Sequence, residues 1–188
     1  MRISILALPS FLLVCYVEGI ISAMIIILAA LLHEAGHLAA MTACRAEITE
    51  IALEPMGARI TYDGMKTSYV DDLRIALAGP LFNLLFCLLG VIVFAFFKNE
   101  YVLLFVLSHL ALAAANLLPV SFLDGGNMLY AALCIKSNHT KAEKVCRIMN
   151  VFGRLIMLAA NIFALVLSGF NIGFCVLLTL QAVTLLSE

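Results

Sequence analysis

The sequence predicts an all-α integral membrane protein of about six transmembrane helices, with a short β-hairpin-like connection after the second and a broken fourth helix. Three observations carry that prediction. Of the 188 residues, 64% are hydrophobic and 12% are charged, against roughly 45–50% and 25% in soluble domains, so the chain needs a solvent other than water. Its apolar residues gather in runs at about 3–17, 19–43, 73–97, 101–118, 150–168 and 171–187, and at roughly 20 residues per crossing they leave little chain for a domain outside the bilayer. Every Lys and Arg except Lys98 falls on or near the span ends and connections that one side of a six-span arrangement would share. A net charge of −1 offers no basic surface and excludes nucleic acid as a partner.

The first run follows Arg2 and has no small-residue cleavage site in the stretch LLVCYVEG, so it reads as a retained helix rather than a signal peptide. After the second run, residues 45–72 form the longest polar connection. Ile51 and Leu53 alternate with Glu50, Ala52 and Glu54, then Pro55-Met56-Gly57 precede Ala58, Ile60 and Tyr62 alternating with Arg59 and Thr61. That is a hairpin pattern, serving either as a plain connector or as an edge that pairs with an extended peptide. The fourth run ends in Asn116-Leu117-Leu118-Pro119 and resumes after Asp124-Gly125-Gly126 as far as Ile135. Broken backbone at membrane depth must line a cavity or be buried in protein. The positive-inside rule then places both termini in the cytoplasm of a multi-pass cell-membrane protein. The chain reads as a single polytopic unit over 1–188, with a core at about 19–135 and flanking helices at 3–17, 150–168 and 171–187. The six cysteines, mostly within apolar runs and without C-x-x-C spacing, read as small apolar residues.

Scarce charge becomes informative where it enters a span. Acidic residues lie at span ends or in connections except Glu34, inside the second span, and Asp124, at the break of the fourth. A carboxylate there costs at least ~2.5–3.5 kcal/mol and is a functional hypothesis by default. Glu34 belongs to His33-Glu34-Ala35-Gly36-His37, an H-E-x-x-H motif. Residues four apart on a helix lie ~40° apart in azimuth and ~6 Å apart in height, so both imidazoles reach one metal ion. Glu34 points elsewhere, toward a water at that metal, and is the candidate catalytic base. A catalytic zinc site takes three protein ligands. Asp124 is the stronger candidate for the third and His109 its rival, while His139, in the charged 136–149 connection, reads as solvated.

These residues carry a resemblance. H-E-x-x-H in one membrane helix, Asn116-Leu-Leu-Pro119-Val-Ser-Phe-Leu-Asp124-Gly125 in a later one, and Ala78-Gly79-Pro80-Leu-Phe-Asn83 between them resemble the site-2 protease family of intramembrane zinc metalloproteases, over about residues 19–135. The chain is most similar to the compact six-helix branch that includes the stage IV sporulation processing protease. The resemblance implies hydrolysis of a peptide bond within or beside a transmembrane segment of a membrane-spanning or membrane-tethered protein. It implies Zn²⁺ held by His33, His37 and Asp124, water activated by Glu34, Asn116 holding substrate or positioning the site, and Asn83 either stabilising the oxyanion or tying helices together. The PDZ and CBS domains of other members find no room here, so substrate selection is expected from membrane gating, the 45–72 hairpin or a separate regulatory protein.

Depth agrees with that expectation. If the second span leaves the bilayer near Cys44, His37 and His33 lie about 10 Å and 16 Å below the surface at ~1.5 Å per residue, which calls for a polar cleft from the cytoplasm. Two other readings compete: a metal-binding membrane protein or transporter without peptidase activity, and a catalytically dead scaffold. The first would want polar residues across several spans, yet beyond the motifs the interiors offer mainly Asn161 and scattered Ser and Thr. The second has no use for Glu34.

Overall fold

The computed structural model describes residues 2–3, 19–54, 57–63 and 67–167. In chain order these form β1 (Arg2–Ile3), α1 (Ile20–Ala43), β2 (Ile48–Glu54), β3 (Gly57–Tyr62), α2 (Tyr69–Phe97), α3 (Glu100–Asn116), α4 (Asp124–Lys136) and α5 (His139–Leu167). Helices α1, α2 and α5 are long and apolar enough to cross a bilayer, and α3 is a shorter apolar helix. The expected spans at 3–17 and 171–187 lie outside the described residues, except that Ile3 belongs to β1 and not to a helix.

The helices are built inside out relative to a soluble bundle. Ala23, Ala29, Ala76, Ala113 and Ala131 are buried, whereas Leu31, Leu88, Phe96 and Phe163 face outward. Water would expel such a surface, but in lipid no hydrophobic force separates apolar faces, and small residues take the interfaces because they let backbones approach. Helix α2 is the central element, packed against α1, α3 and α4, with α5 packed on α4. Its start is set by Ser68, whose hydroxyl accepts from the Asp71 N–H at 3.2 Å and donates to Asp71 Oδ2 at 2.7 Å. The helix therefore begins at Tyr69, ahead of the expected 73, because a cap and not a hydropathy threshold starts it. A two-residue turn links α2 to α3: Lys98 takes the left-handed conformation (φ 49°) and Asn99 caps α3 by accepting from the Tyr101 N–H at 2.8 Å.

Residues 136–149, expected as a connection, are mostly helical, since α5 begins at His139 rather than near 150. Asn138 caps it by accepting from the Lys141 N–H at 3.1 Å, and charge alone does not stop a helix. The hairpin is present where expected: β2 and β3 pair antiparallel from Ile48↔Tyr62 to Glu54↔Gly57, and β1 adds in parallel on the other edge of β2. Tyr62 anchors this sheet to α2 by donating to Asp72 Oδ1 at 3.0 Å. Burial and the Asp72 carboxylate push the Tyr62 phenol above its ordinary range, so it keeps its proton and stays a donor at neutral pH.

Candidate metal centre

The fourth expected span breaks between α3 and α4, and the break aims a carboxylate inward. After Asn116 the backbone turns through Val120 N–H to Leu118 O (2.8 Å) and Leu123 N–H to Val120 O (2.9 Å) before α4 starts at Asp124. The turn closes this tightly because Gly125 lies against the Leu117 and Leu118 carbonyls and Gly126 against that of Val120, where any Cβ would collide with backbone. Val120, fully buried, packs over Gly153 of α5. Asp124 thus occupies the first turn of α4, whose N-terminal dipole favours an anion.

Across from it, His33 and His37 are buried on the face of α1 that meets α2. Two glycines make that crossing. Gly36 sits where a Cβ would lie 2.7 Å from the Ala78 carbonyl oxygen and 2.9 Å from Phe82 Cγ, and Gly79 of α2 sits where a Cβ would lie 2.7 Å from His33 Cε1 and would overlap His37 Nε2. Each glycine makes room for the other helix's functional segment.

Three ligand atoms converge. Asp124 Oδ2 lies 3.1 Å from His33 Nε2 and 3.2 Å from His37 Nε2, and the two Nε2 atoms are 3.2 Å apart. The group can hold a metal ion, and its hydrogen bonding supports that use. His37 Nδ1 is 2.8 Å from the Ile75 carbonyl oxygen, which can only accept, so Nδ1 carries the hydrogen and Nε2 of the neutral ring presents a lone pair. Among the described residues, Asp124 Oδ2 is buried with no polar neighbour besides the two imidazoles. With His33 in the same tautomer, three lone-pair atoms face one another at this distance in an apolar interior, an arrangement that a cation between them relieves. The triangle's sides also approach the about 3.3–3.4 Å ligand-to-ligand edge of a tetrahedron with zinc bonds of ~2.0–2.1 Å.

The other expected residues take distinct places. Glu34 is half-buried, close enough to interact with both imidazoles and with Asp124, and is not one of the three converging ligands. Asn83 is fully buried on α2 with its Nδ2 2.9 Å from Nδ1 of His33 and its Oδ1 2.9 Å from Nδ1 of His109. It stands behind His33, a helix-tying place. His109 is likewise buried, and its Nδ1 turns to Asn83 and not to the triangle. Asn116, the last residue of α3, donates through Nδ2 to the Leu112 carbonyl at 3.1 Å. His139 is exposed and pairs with Tyr130 and Glu143. The sequence reading missed Gly79 as a wall of the site and the Ile75 carbonyl as a partner. Gly79 stood inside the Ala78-Gly79-Pro80 motif, but a backbone carbonyl leaves no sequence signal. A cavity of about 380 Å³ lies beside the turn that carries Asp124, lined by Ser121, Asn127, Tyr130 and Asn150 among others. His33, Glu34 and His37 do not line it.

A buried His–His–Asp triangle with a carboxylate at its side, held between helices of membrane length, places this protein among membrane-embedded metalloproteins. The family model described as Peptidase family M50 matches residues 21–103 and 98–160. The chain belongs to that family, the site-2 proteases. It is 34% identical over 139 residues to a zinc metalloprotease of Methanocaldococcus jannaschii, a match covering 71% of this chain and 40% of that protein, so the chain spans less than half of that relative's length. A solved site-2 protease from Methanocaldococcus jannaschii superimposes with a TM-score of 0.68 at 23% identity, over 91% of this chain and 84% of that one. At such identity the likeness is one of fold.

Proposed function

We propose that this protein is a zinc endopeptidase that cleaves a membrane-spanning or membrane-tethered protein within or beside its transmembrane segment. The observation that carries the proposal is the triangle of His33, His37 and Asp124 with Glu34 at its side, in a chain of peptidase family M50. In this reading those three residues hold Zn²⁺, which when bound polarises the scissile carbonyl and lowers the pKa of water toward neutrality.

The remaining work falls to the chain's own residues. Glu34 accepts the proton of the attacking water and delivers it to the departing amine nitrogen, one carboxylate serving both transfers. Asn116 spends its Nδ2 on the Leu112 carbonyl and offers its Oδ1 to a backbone N–H of the substrate. Asn83 keeps its place behind His33. The substrate must unwind first, because helical carbonyls are hydrogen-bonded and covered. Helices α1, α2 and α5 with the α3–α4 pair form the membrane domain, and the expected flanking spans complete a multi-pass protein with both termini in the cytoplasm.

The test is cleavage of a single-span substrate by the full chain in proteoliposomes. Chelation should abolish cleavage and zinc should restore it. Asp124→Ala should lose zinc at micromolar free metal, measured by elemental analysis, together with activity; unchanged zinc content would remove Asp124 from the ligand set. Activity should centre near neutral pH, and a profile requiring strongly acidic pH would point to an aspartyl-type reaction instead.

A further inference from the structure

His109 presents a puzzle that the hydrolytic reading leaves unsolved. It is fully buried on α3 with its ring between two aromatics, Phe105 edge-on at 4.4 Å and Phe86 stacked at 5.5 Å. A third apolar ring would pack in that niche without polar cost. Instead the site holds an imidazole whose Nε2 is buried without a partner among the described residues, and buried polar groups left unsatisfied are rare in folded proteins. What the imidazole gains is its other nitrogen, Nδ1, 2.9 Å from Asn83 Oδ1.

We propose that His109 is a positioning residue which, through Asn83, fixes the tautomer of the metal ligand His33. A carboxamide has one accepting end and one donating end. Since Asn83 bridges Nδ1 of His33 and Nδ1 of His109, the two rings must present opposite characters, one Nδ1–H and one bare Nδ1. In the structure Asn83 turns Nδ2 to His33 and Oδ1 to His109; resting on the metal reading above, the amide takes the opposite orientation, which has the same shape, because His33 turns its Nε2 lone pair toward the ion and the hydrogen on its Nδ1 needs Oδ1 as acceptor. The Asn83 amino group then faces His109, which must accept through a bare Nδ1 and carry its own hydrogen on Nε2. The orphaned Nε2 is the consequence. His37 obtains the same Nδ1–H tautomer more simply, from the Ile75 carbonyl. The two histidine ligands are thus set by different devices: one by a backbone acceptor on α2, the other by a side-chain relay running from α1 through α2 to α3.

The test compares zinc affinity of the purified full chain, by chelator competition, with the ligand-field absorption of its Co²⁺ form, for wild type, His109→Phe, His109→Asn and His109→Gln. Asn places an accepting oxygen where Nδ1 was, whereas Gln places its amide at the position of Nε2 and misses Asn83. Outer-shell partners of metal-bound histidine are commonly worth 10–100-fold in affinity. His109→Phe and His109→Gln should therefore bind zinc about 10–100-fold more weakly with an altered Co²⁺ spectrum, while His109→Asn stays near wild type in both. If His109→Phe yields no folded protein, the Asn and Gln pair decides. Wild-type affinity in His109→Phe, or equal losses in Asn and Gln, would overturn the proposal. Failure of the wild type to bind zinc would sink the metal reading itself.

Discussion

Glu34→Gln should purify with a full complement of zinc and cleave its substrate about 10²–10⁴-fold more slowly than wild type, the range general acid–base catalysis supplies. The split follows from position. Glu34 lies next to His33 in sequence but outside the triangle of His33 Nε2, His37 Nε2 and Asp124 Oδ2, so removing its charge leaves the ligand set complete. Gln preserves the shape of the side chain and its burial, and loses only the ability to take a proton and return it. A loss of this size is about 2.7–5.5 kcal/mol of transition-state stabilisation, too large for an indirect packing effect of an isosteric change. The measurement is a rate in proteoliposomes with zinc content determined on the same preparation. Equal cleavage by the two proteins would overturn the assignment of Glu34, and loss of zinc together with activity would make Glu34 a ligand instead.

Gly79→Ala should disable the same site by another route, weakening zinc binding by about 1–3 kcal/mol, the usual cost of overpacking, or roughly 5–150-fold in affinity. A methyl group there would overlap His37 Nε2 and come within 2.7 Å of His33 Cε1, and neither ring has slack. His37 is tied at 2.8 Å to the Ile75 carbonyl on the same helix as Gly79, and His33 is tied at 2.9 Å to Asn83, also on that helix. Relief therefore requires either parting α1 from α2 or breaking one of these hydrogen bonds, and both disperse the ligand triangle. Gly90→Ala is the matched control. It lies on the same helix, and its Cβ would meet the flexible side chains of Val106 and Phe105 at 2.8 and 3.0 Å and neither imidazole of the triangle. The expected result is zinc affinity lost in Gly79→Ala and retained in Gly90→Ala. Wild-type affinity in Gly79→Ala would mean that α1 and α2 are not seated on each other as described.

Much of the candidate metal centre could be read along the chain because its information is local. His33 and His37 share a helix face through the i, i+4 geometry of any α-helix. Asp124 stood out as an acid at membrane depth, in a break marked by Pro119, Gly125 and Gly126. Element boundaries were less legible. The starts of α2 and α5 follow the caps Ser68 and Asn138, while a hydropathy reading places them where charge thins out. The place of His109 was not legible either, since sequence offered it as a rival ligand while its Nδ1 faces Asn83 on another helix.

The order of motifs, the break before Asp124 and the pair of imidazoles on one helix face follow from composition and backbone periodicity, which the chain carries residue by residue. Which side of each helix turns inward does not. In a soluble helix the apolar stripe marks the buried face, but here Leu and Phe cover the outside as well, and lipid gives no reason to sort them. The inward faces are selected by close approach and polar pairing: Gly36 against Ala78, Gly79 against the two imidazoles, and Asn83 between His33 and His109. Such contacts join residues on different helices, and they exist only once α1, α2 and α3 are packed together.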